Sequence, residues 1–206
     1  MSTKTSGKSF IEKARRAQIM QTTIEAICDL GYAQASIGQI AKRAGVSKGV
    51  ITYHFPSKDE LMQKIVEELY LKGASFMSEI ATESTAANML RRYIETNLEF
   101  ILAHKNHVAA VAEIVMNFRD EEGRLIYHKP ADNSIYVPII EILHWGQEDG
   151  SFRPILPSSA QVLAMTIRSA IDLASQQLVA NPDFNIQEYA KELIQLFEAA
   201  TGKPPI

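Results

Sequence analysis

Cysteine is nearly missing from this chain: Cys28 is its only one, so no intrachain disulfide can form. It falls in an apolar helical stretch and reads as a small core residue rather than a redox sensor. No apolar run approaches the roughly eighteen residues that span a bilayer, and the polar N-terminus has no apolar signal core. A cytoplasmic protein without a membrane partner is therefore expected. A glycine-rich phosphate loop, a nucleophile elbow and a metalloprotease histidine pair are also missing. An enzyme would have to use Glu113, His104 or Asp172 as acid or base, and no paired constellation supports that. His104, His107 and Glu113 can be read as metal ligands on one helix face, but Lys105 and Asn106 between them mark a solvated helix end. Neither catalysis, a cofactor nor a metal is expected.

What is present suits a soluble globular chain. It has 206 residues, 46% hydrophobic and 22% charged, enough for one large or two small domains with a true core. The net charge of -3 conceals an asymmetry. Met1 to Lys58 holds nine basic residues against Glu12, Glu25 and Asp29, a balance of +6 that leaves -9 for the remainder. A basic head on an acidic body is expected where only the head meets a polyanion.

The stretch from Ser36 to Phe55 reads as two short helices around a tight turn. Ser36 and Gln39 have capping-box spacing, so a helix starts at Ile37. Ile40, Ala41 and Ala44 form its apolar face, and Ala41 is small enough to admit a second helix. Gly45 supplies a left-handed stop, Val46 fills the corner, and Ser47 caps a helix running to about His54 with Val50 and Ile51 inward. Ser47, Lys48, Gly49, Thr52, Tyr53 and His54 are left outward, with no carboxylate among them. This is the pattern of a helix-turn-helix, whose second helix enters the DNA major groove. Pro56 ends that helix, and Ser57 with Glu60 opens another, predicted to run to roughly Ile80. Lys58, in its first turn beside free amides, is placed to hold a phosphate. Ahead of the motif, a helix is predicted from about Phe10 to Leu30, stopped by Gly31, with Tyr32 packed beneath the head.

The residues Gly31-Tyr32, Ile40-Ala41-x-x-Ala44-Gly45-Val46-Ser47, Gly49 and Tyr53-x-Phe55-x-x-Lys58-x-x-Leu61 resemble the TetR family of bacterial transcription factors. The resemblance is close from Arg16 to Val66 and beyond about residue 80 extends only to a general helical plan. It implies an all-α fold: a three-helix N-terminal helix-turn-helix domain plus a larger helical ligand-binding and dimerisation domain. It further implies a homodimer that represses transcription from a palindromic site on double-stranded DNA and lets go when a small, mostly apolar effector binds the body. An alternative is a DNA-binding regulator or architectural protein without an effector site. Thr52, Tyr53, His54 and Lys58 correspond to the family's groove and phosphate contacts, with Lys48 and Gly49 beside them; Ser36, Lys42 and Ser47 complete the candidate DNA-binding set. The expected organisation is a flexible basic arm over 1–9, a helix-turn-helix domain over 10–56, and a linker helix with its body over 57–206.

In the body, Leu90, Ile94, Leu98, Ile101 and Leu102 form one helical stripe, and Val108, Val111, Ala112, Val115 and Met116 another. Asn117 to Ser134 reads as a short helix plus a loop. Ile135 to Gly146 is apolar on several sides and is expected to be buried. Two amphipathic helices follow, over Ser158 to about Ala180 and Ile186 to about Ala200. Met165, Ala170, Leu173, Ala174, Tyr189, Leu193, Leu196 and Phe197 on these two are candidates for a two-fold four-helix interface. The same residues would equally close the monomer's own core. Tyr93, Met116, Phe118, Trp145 and Arg168 are the effector-binding candidates: aromatics and methionine with few polar groups suit a mostly apolar molecule.

Overall fold

In a computed structural model, the chain is described over residues 3–77, 83–127 and 133–203. Nine α-helices account for most of these residues: α1 (Thr3–Leu30), α2 (Ile37–Ala44), α3 (Lys48–His54), α4 (Lys58–Met77), α5 (Ala86–Ala103), α6 (Lys105–Asn117), α7 (Val137–Glu148), α8 (Pro157–Ala180) and α9 (Ile186–Thr201). β-pairing among the described residues is limited to an isolated bridge between Arg119 and Leu125. The fold is all-α, as expected.

The chain divides into two compact units. One holds Met1–Tyr70 and Asn106–Lys129; the other holds Leu71–Lys105 and Pro130–Ile206. The predicted boundary at 56/57 thus falls inside the first unit, because α6 and the turn after it supply that unit's missing wall. Ala110, Val111, Ile114 and Phe118 join Ile19, Ile27, Ile40, Ile51, Phe55, Leu61 and Ile65 in one buried cluster. Each of the large apolar side chains there contributes roughly 1.5–3 kcal/mol by leaving water. His107 is buried in the same unit, its Nε2 2.8 Å from the Ile65 carbonyl oxygen.

Several expectations need correction. Helix α1 starts at Thr3, so 3–9, read as an arm, are helical; no proline interrupts the stretch, and Gly7 alone is too weak a breaker. Met1 and Ser2 lie outside the described residues, as do 78–80, where α4 was expected to end. Cys28 is exposed: the inward stripe of α1 runs through Ile19, Thr23, Ala26 and Ile27, and position 28 falls off it. Its thiol donates to the Asn106 carbonyl at 3.3 Å. Chain direction breaks at His104, which closes α5, so His104 and His107 stand on different helices rather than one face. His104 packs instead on the Phe100 ring, centroids 4.7 Å apart. On α6 the buried face is His107, Ala110, Val111 and Ile114, and Met116 is exposed. No helix forms over 118–127, where Gly123 (φ 81°) and the Asp120 carboxylate close a tight turn. Ile135 and Val137 are exposed, contrary to expectation, and α7 buries Ile139, Ile142, Leu143 and Gly146.

In the second unit, α5 packs against α7, α8 and α9. Asp149, just past α7, accepts the Ala86 amide at the start of α5 (2.8 Å) and the Ser151 amide (2.7 Å). These bonds hold its carboxyl below the usual carboxylate range. Gly146 on α7 leaves room for a ring: a Cβ there would lie 1.9 Å from Cδ2 of Phe152. Of the candidate interface residues, Ala174, Leu193 and Phe197 are buried within this chain, and the Tyr189 hydroxyl donates to the Ala170 carbonyl at 2.7 Å. Those five close the unit's own core or tie α8 to α9. Met165, Leu173 and Leu196 stay exposed, together with Val162.

Candidate nucleic-acid interface

The helix-turn-helix is assembled from local signals. Ser36 Oγ accepts the Gln39 amide at 3.3 Å and Ser47 Oγ the Val50 amide at 3.3 Å, so each short helix has a side-chain cap. Gly45 sits at φ 65°, ψ 32°, the left-handed conformation that lets the Val46 amide return to the Ala41 carbonyl at 3.0 Å. Phe55, extended at φ -140° before Pro56, ends α3 and drops its ring, fully buried, into the core.

Outside that scaffold lies the candidate surface. Lys42, Ser47, Lys48, Gly49, Thr52 and Tyr53 are exposed, as is Ser36, whose hydroxyl oxygen is engaged in its cap. Tyr53 keeps 71% of its surface, far more than a core aromatic would. Its ring meets His54 edge-on at 5.0 Å, and its hydroxyl stands 3.5 Å from a Glu12 carboxylate oxygen. Lys48 folds across α2: a Cβ on Gly38 would come within 3.0 Å of its Cε, so the glycine leaves the space this side chain crosses. The Thr52 hydroxyl donates back to the Lys48 and Gly49 carbonyls (3.3 and 3.2 Å), leaving its methyl and a lone pair for any base edge.

Lys58 departs from the simple picture. Its Nζ donates to the Tyr32 carbonyl at 2.9 Å and lies 4.3 Å from the Tyr32 ring centroid. Partial burial pulls the ammonium's pKa down, against the opposing charge of Asp59. Asp59 and Glu60 share the first turn of α4 and offset its exposed amides. In this structure Lys58 closes the turn after α1.

Sequence reasoning missed Arg16. Its guanidinium donates to the His54 carbonyl, the last of α3, and lies 4.2 Å from the centroid of the Phe55 ring. It therefore ties the C-terminus of the outward helix to α1. The partners are 38 residues apart, so no local pattern could reveal the pair. Arg43 pairs similarly with Asp29 at 2.6 Å, at the surface.

The effector candidates do not gather in one hollow of either unit. Phe118 is core in the first unit and Met116 is exposed there; Tyr93 is buried and Trp145 and Arg168 half-buried in the second. A groove of about 500 Å³ between α5 and α9 has a floor of Leu98, Leu102, Ile186 and Ile194, and none of the five candidates lines it.

A capped two-helix motif with an exposed, acid-free second helix on a basic head is the arrangement of a DNA-binding helix-turn-helix. The family model described as "Bacterial regulatory proteins, tetR family" matches residues 19–65, the head from mid-α1 into α4. Over that head, and no further, the chain is similar to the tetR family. It is 44% identical over 62 residues to the HTH-type transcriptional regulator BetI 1 of Chromohalobacter salexigens, a match covering 30% of this chain and 31% of that relative. Matches to such curated relatives span about a third to a half of their lengths. Over most of the chain the fold is similar to FadR from Bacillus subtilis, solved with stearoyl-CoA (TM-score 0.67, 20% identity, covering 89% of this chain and 97% of that one). It is also similar to AibR, solved with isovaleryl coenzyme A and operator DNA (TM-score 0.70, 19% identity, 88% and 97% covered). No described helix is long and apolar enough to cross a membrane.

Proposed function

We propose that this chain is a homodimeric transcriptional repressor that binds an inverted-repeat operator and is released by a small, mostly apolar effector held in the second unit. The observation that carries the reading is the exposed face of α3, where Lys48, Thr52 and Tyr53 stand clear of any carboxylate on that helix. Lys48 and His54, with the Thr52 methyl, read base edges; Tyr53, Lys42 and Lys58 take phosphates. Lys58 must leave the Tyr32 carbonyl to do so. Val162, Met165 and Leu173 on α8 with Leu196 on α9 form the exposed apolar face that a second copy covers. Two heads then meet half-sites about one DNA turn, roughly 34–36 Å, or a multiple apart. FadR and AibR, solved with acyl-CoA molecules, support an effector site in a body of this fold.

The test is selection of bound duplexes from a random pool by the full chain. A palindromic consensus bound by a dimer supports the reading; failure to enrich any sequence over bulk DNA overturns it. Effector binding and operator binding weaken each other by equal factors, so a compound that weakens DNA binding must bind more weakly to the operator-bound form.

One observation favours a regulator without an effector site. Tyr93, Trp145 and Arg168, the effector candidates in the second unit, line none of the groove between α5 and α9. Under that reading no small molecule changes operator affinity.

A further inference from the structure

Along one turn of α5, Tyr93, Thr96 and Asn97 project from the same side of the helix. Tyr93 and Thr96 are at most 4% exposed, yet each carries a hydroxyl. Asn97 accepts from Arg168 of α8 at 3.3 Å and donates to the Tyr93 carbonyl at 2.8 Å. Arg168 holds a two-point grip on Asp172, one turn further along α8, through Nε to Oδ2 at 3.2 Å and a second bond from its terminal nitrogen. Its side chain is 23% exposed, whereas that of Asp172 is 49% exposed. The carboxylate is thus the outer partner, and the guanidinium fork lies behind it.

Thr96 is the odd member. The helical threonines Thr23, Thr166 and Thr201 donate to the carbonyl four residues back. The Oγ1 of Thr96 is buried with no hydrogen-bond partner. An unpaired buried hydroxyl forfeits a hydrogen bond that water would supply, and an ion pair with a half-exposed carboxylate adds little stability. A missing bond on α5 and a weakly held ion pair on α8, beside the Asn97–Arg168 contact that joins the two helices, suit a place kept for a polar guest.

We infer that Arg168, Asn97, Tyr93 and Thr96 form the polar end of the effector site, and that it recognises a carboxylic acid bearing a hydroxyl or carbonyl oxygen near the carboxylate. This rests on the effector reading above and names its ligand class. The ligand carboxylate takes the two-point position that Asp172 occupies on the Arg168 fork, since a planar oxyanion is what that fork already holds. Asn97 keeps the guanidinium aligned. The neighbouring oxygen of the ligand supplies the bond that Thr96 lacks. Asp172 is then the internal stand-in that the ligand displaces.

The test is calorimetric titration and thermal unfolding of the full chain with straight-chain carboxylic acids, their 3-hydroxy derivatives and the matching primary amides. Inorganic phosphate serves as the control for general anion binding. Acids are expected to bind at least tenfold more tightly than their amides, with phosphate not competing. Asp172→Asn removes the competitor and is expected to tighten acid binding about tenfold. Arg168→Met is expected to lose it, and Thr96→Val to abolish the preference for the 3-hydroxy acid. Circular dichroism of each variant reports whether it folds. Equal binding of acids and amides, no acid binding by either the parent or Asp172→Asn, or parent-like acid binding by folded Arg168→Met would each overturn the inference. Operator binding by the parent, read in parallel, separates the two proposals: a chain that binds operator but no acid refutes this inference alone, and one that binds acid but no operator refutes only the regulator.

Discussion

Lys58 and Tyr32 are bound twice over, by a 2.9 Å hydrogen bond from Nζ to the carbonyl and by the ammonium standing 4.3 Å from the ring centroid. The residue expected to grip phosphate thus also closes the turn that follows α1. Lys58→Met is expected to lower stability by about 1 kcal/mol, given its partial exposure, and to weaken binding on every DNA sequence. Its ammonium titrates lower in the folded chain than in the unfolded one. Between those two values the unfolded chain binds more protons, so this group's contribution raises stability as pH rises and removes it as pH falls. Thermal unfolding from about pH 8 to 11 should show a rise in the parent, relative to Lys58→Met, below the ordinary lysine value of about 10.4. Parallel curves would show that the lysine is not held as described.

The outward residues of α3 divide by role. Lys48→Ala is expected to change which base is preferred at one operator position, by roughly 1–3 kcal/mol, while leaving bulk-DNA binding nearly unchanged. Tyr53→Ala should weaken all sequences alike. Binding curves on operator and scrambled duplex at several salt concentrations distinguish the two. If both variants bind operator as the parent does, α3 is not the reading helix.

Arg16 touches no candidate DNA-contacting side chain, yet it holds the last carbonyl of α3. Arg16→Ala is expected to cost about 1–2 kcal/mol in urea unfolding, through the lost charged hydrogen bond and the lost packing on Phe55. Arg16→Lys should recover only part, because an ammonium lacks the flat face that covers the ring. Unchanged unfolding for Arg16→Ala would contradict the contact.

Two leucines on α9 three residues apart should behave oppositely. Leu196 is 61% exposed and Leu193 6%. Leu196→Glu is expected to yield a folded monomer by light scattering, with operator affinity reduced more than tenfold. Leu193→Ala should instead lose about 2–5 kcal/mol of stability without altering assembly of the folded chain. A dimer that survives Leu196→Glu places the subunit contact elsewhere.

Gly146 and Phe152 form a matched pair. Gly146→Ala puts a methyl into the ring, so a loss of about 1–3 kcal/mol is expected. Phe152→Leu should be partly rescued by Gly146→Ala in a double-mutant cycle. Strict additivity would show that the two do not meet.

Much of the head was legible because its determinants are local. Ser36, Gly45, Ser47, Phe55-Pro56 and Ser57 each act within a few residues, and each performs the predicted backbone role. What escaped was non-local. The hold of Arg16 on His54, the dual engagement of Lys58 and the burial of His107 against Ile65 each join distant parts of the chain. Apolar periodicity also could not tell α8 and α9 residues facing their own core from those facing outward, which is why Ala174 and Leu193 were grouped with Leu196. Thr96 gave no sequence signal, since no pattern of neighbouring residues marks a helical hydroxyl that is buried without a partner among the described residues.

Asp149 clasps the first amide of α5 while standing immediately beyond the last turn of α7. Residues 63 positions apart therefore share one fastener. Sliding α7 along its axis would pull on the entrance to α5, so this carboxylate couples the end of α7 to the helix bearing Tyr93, Thr96 and Asn97.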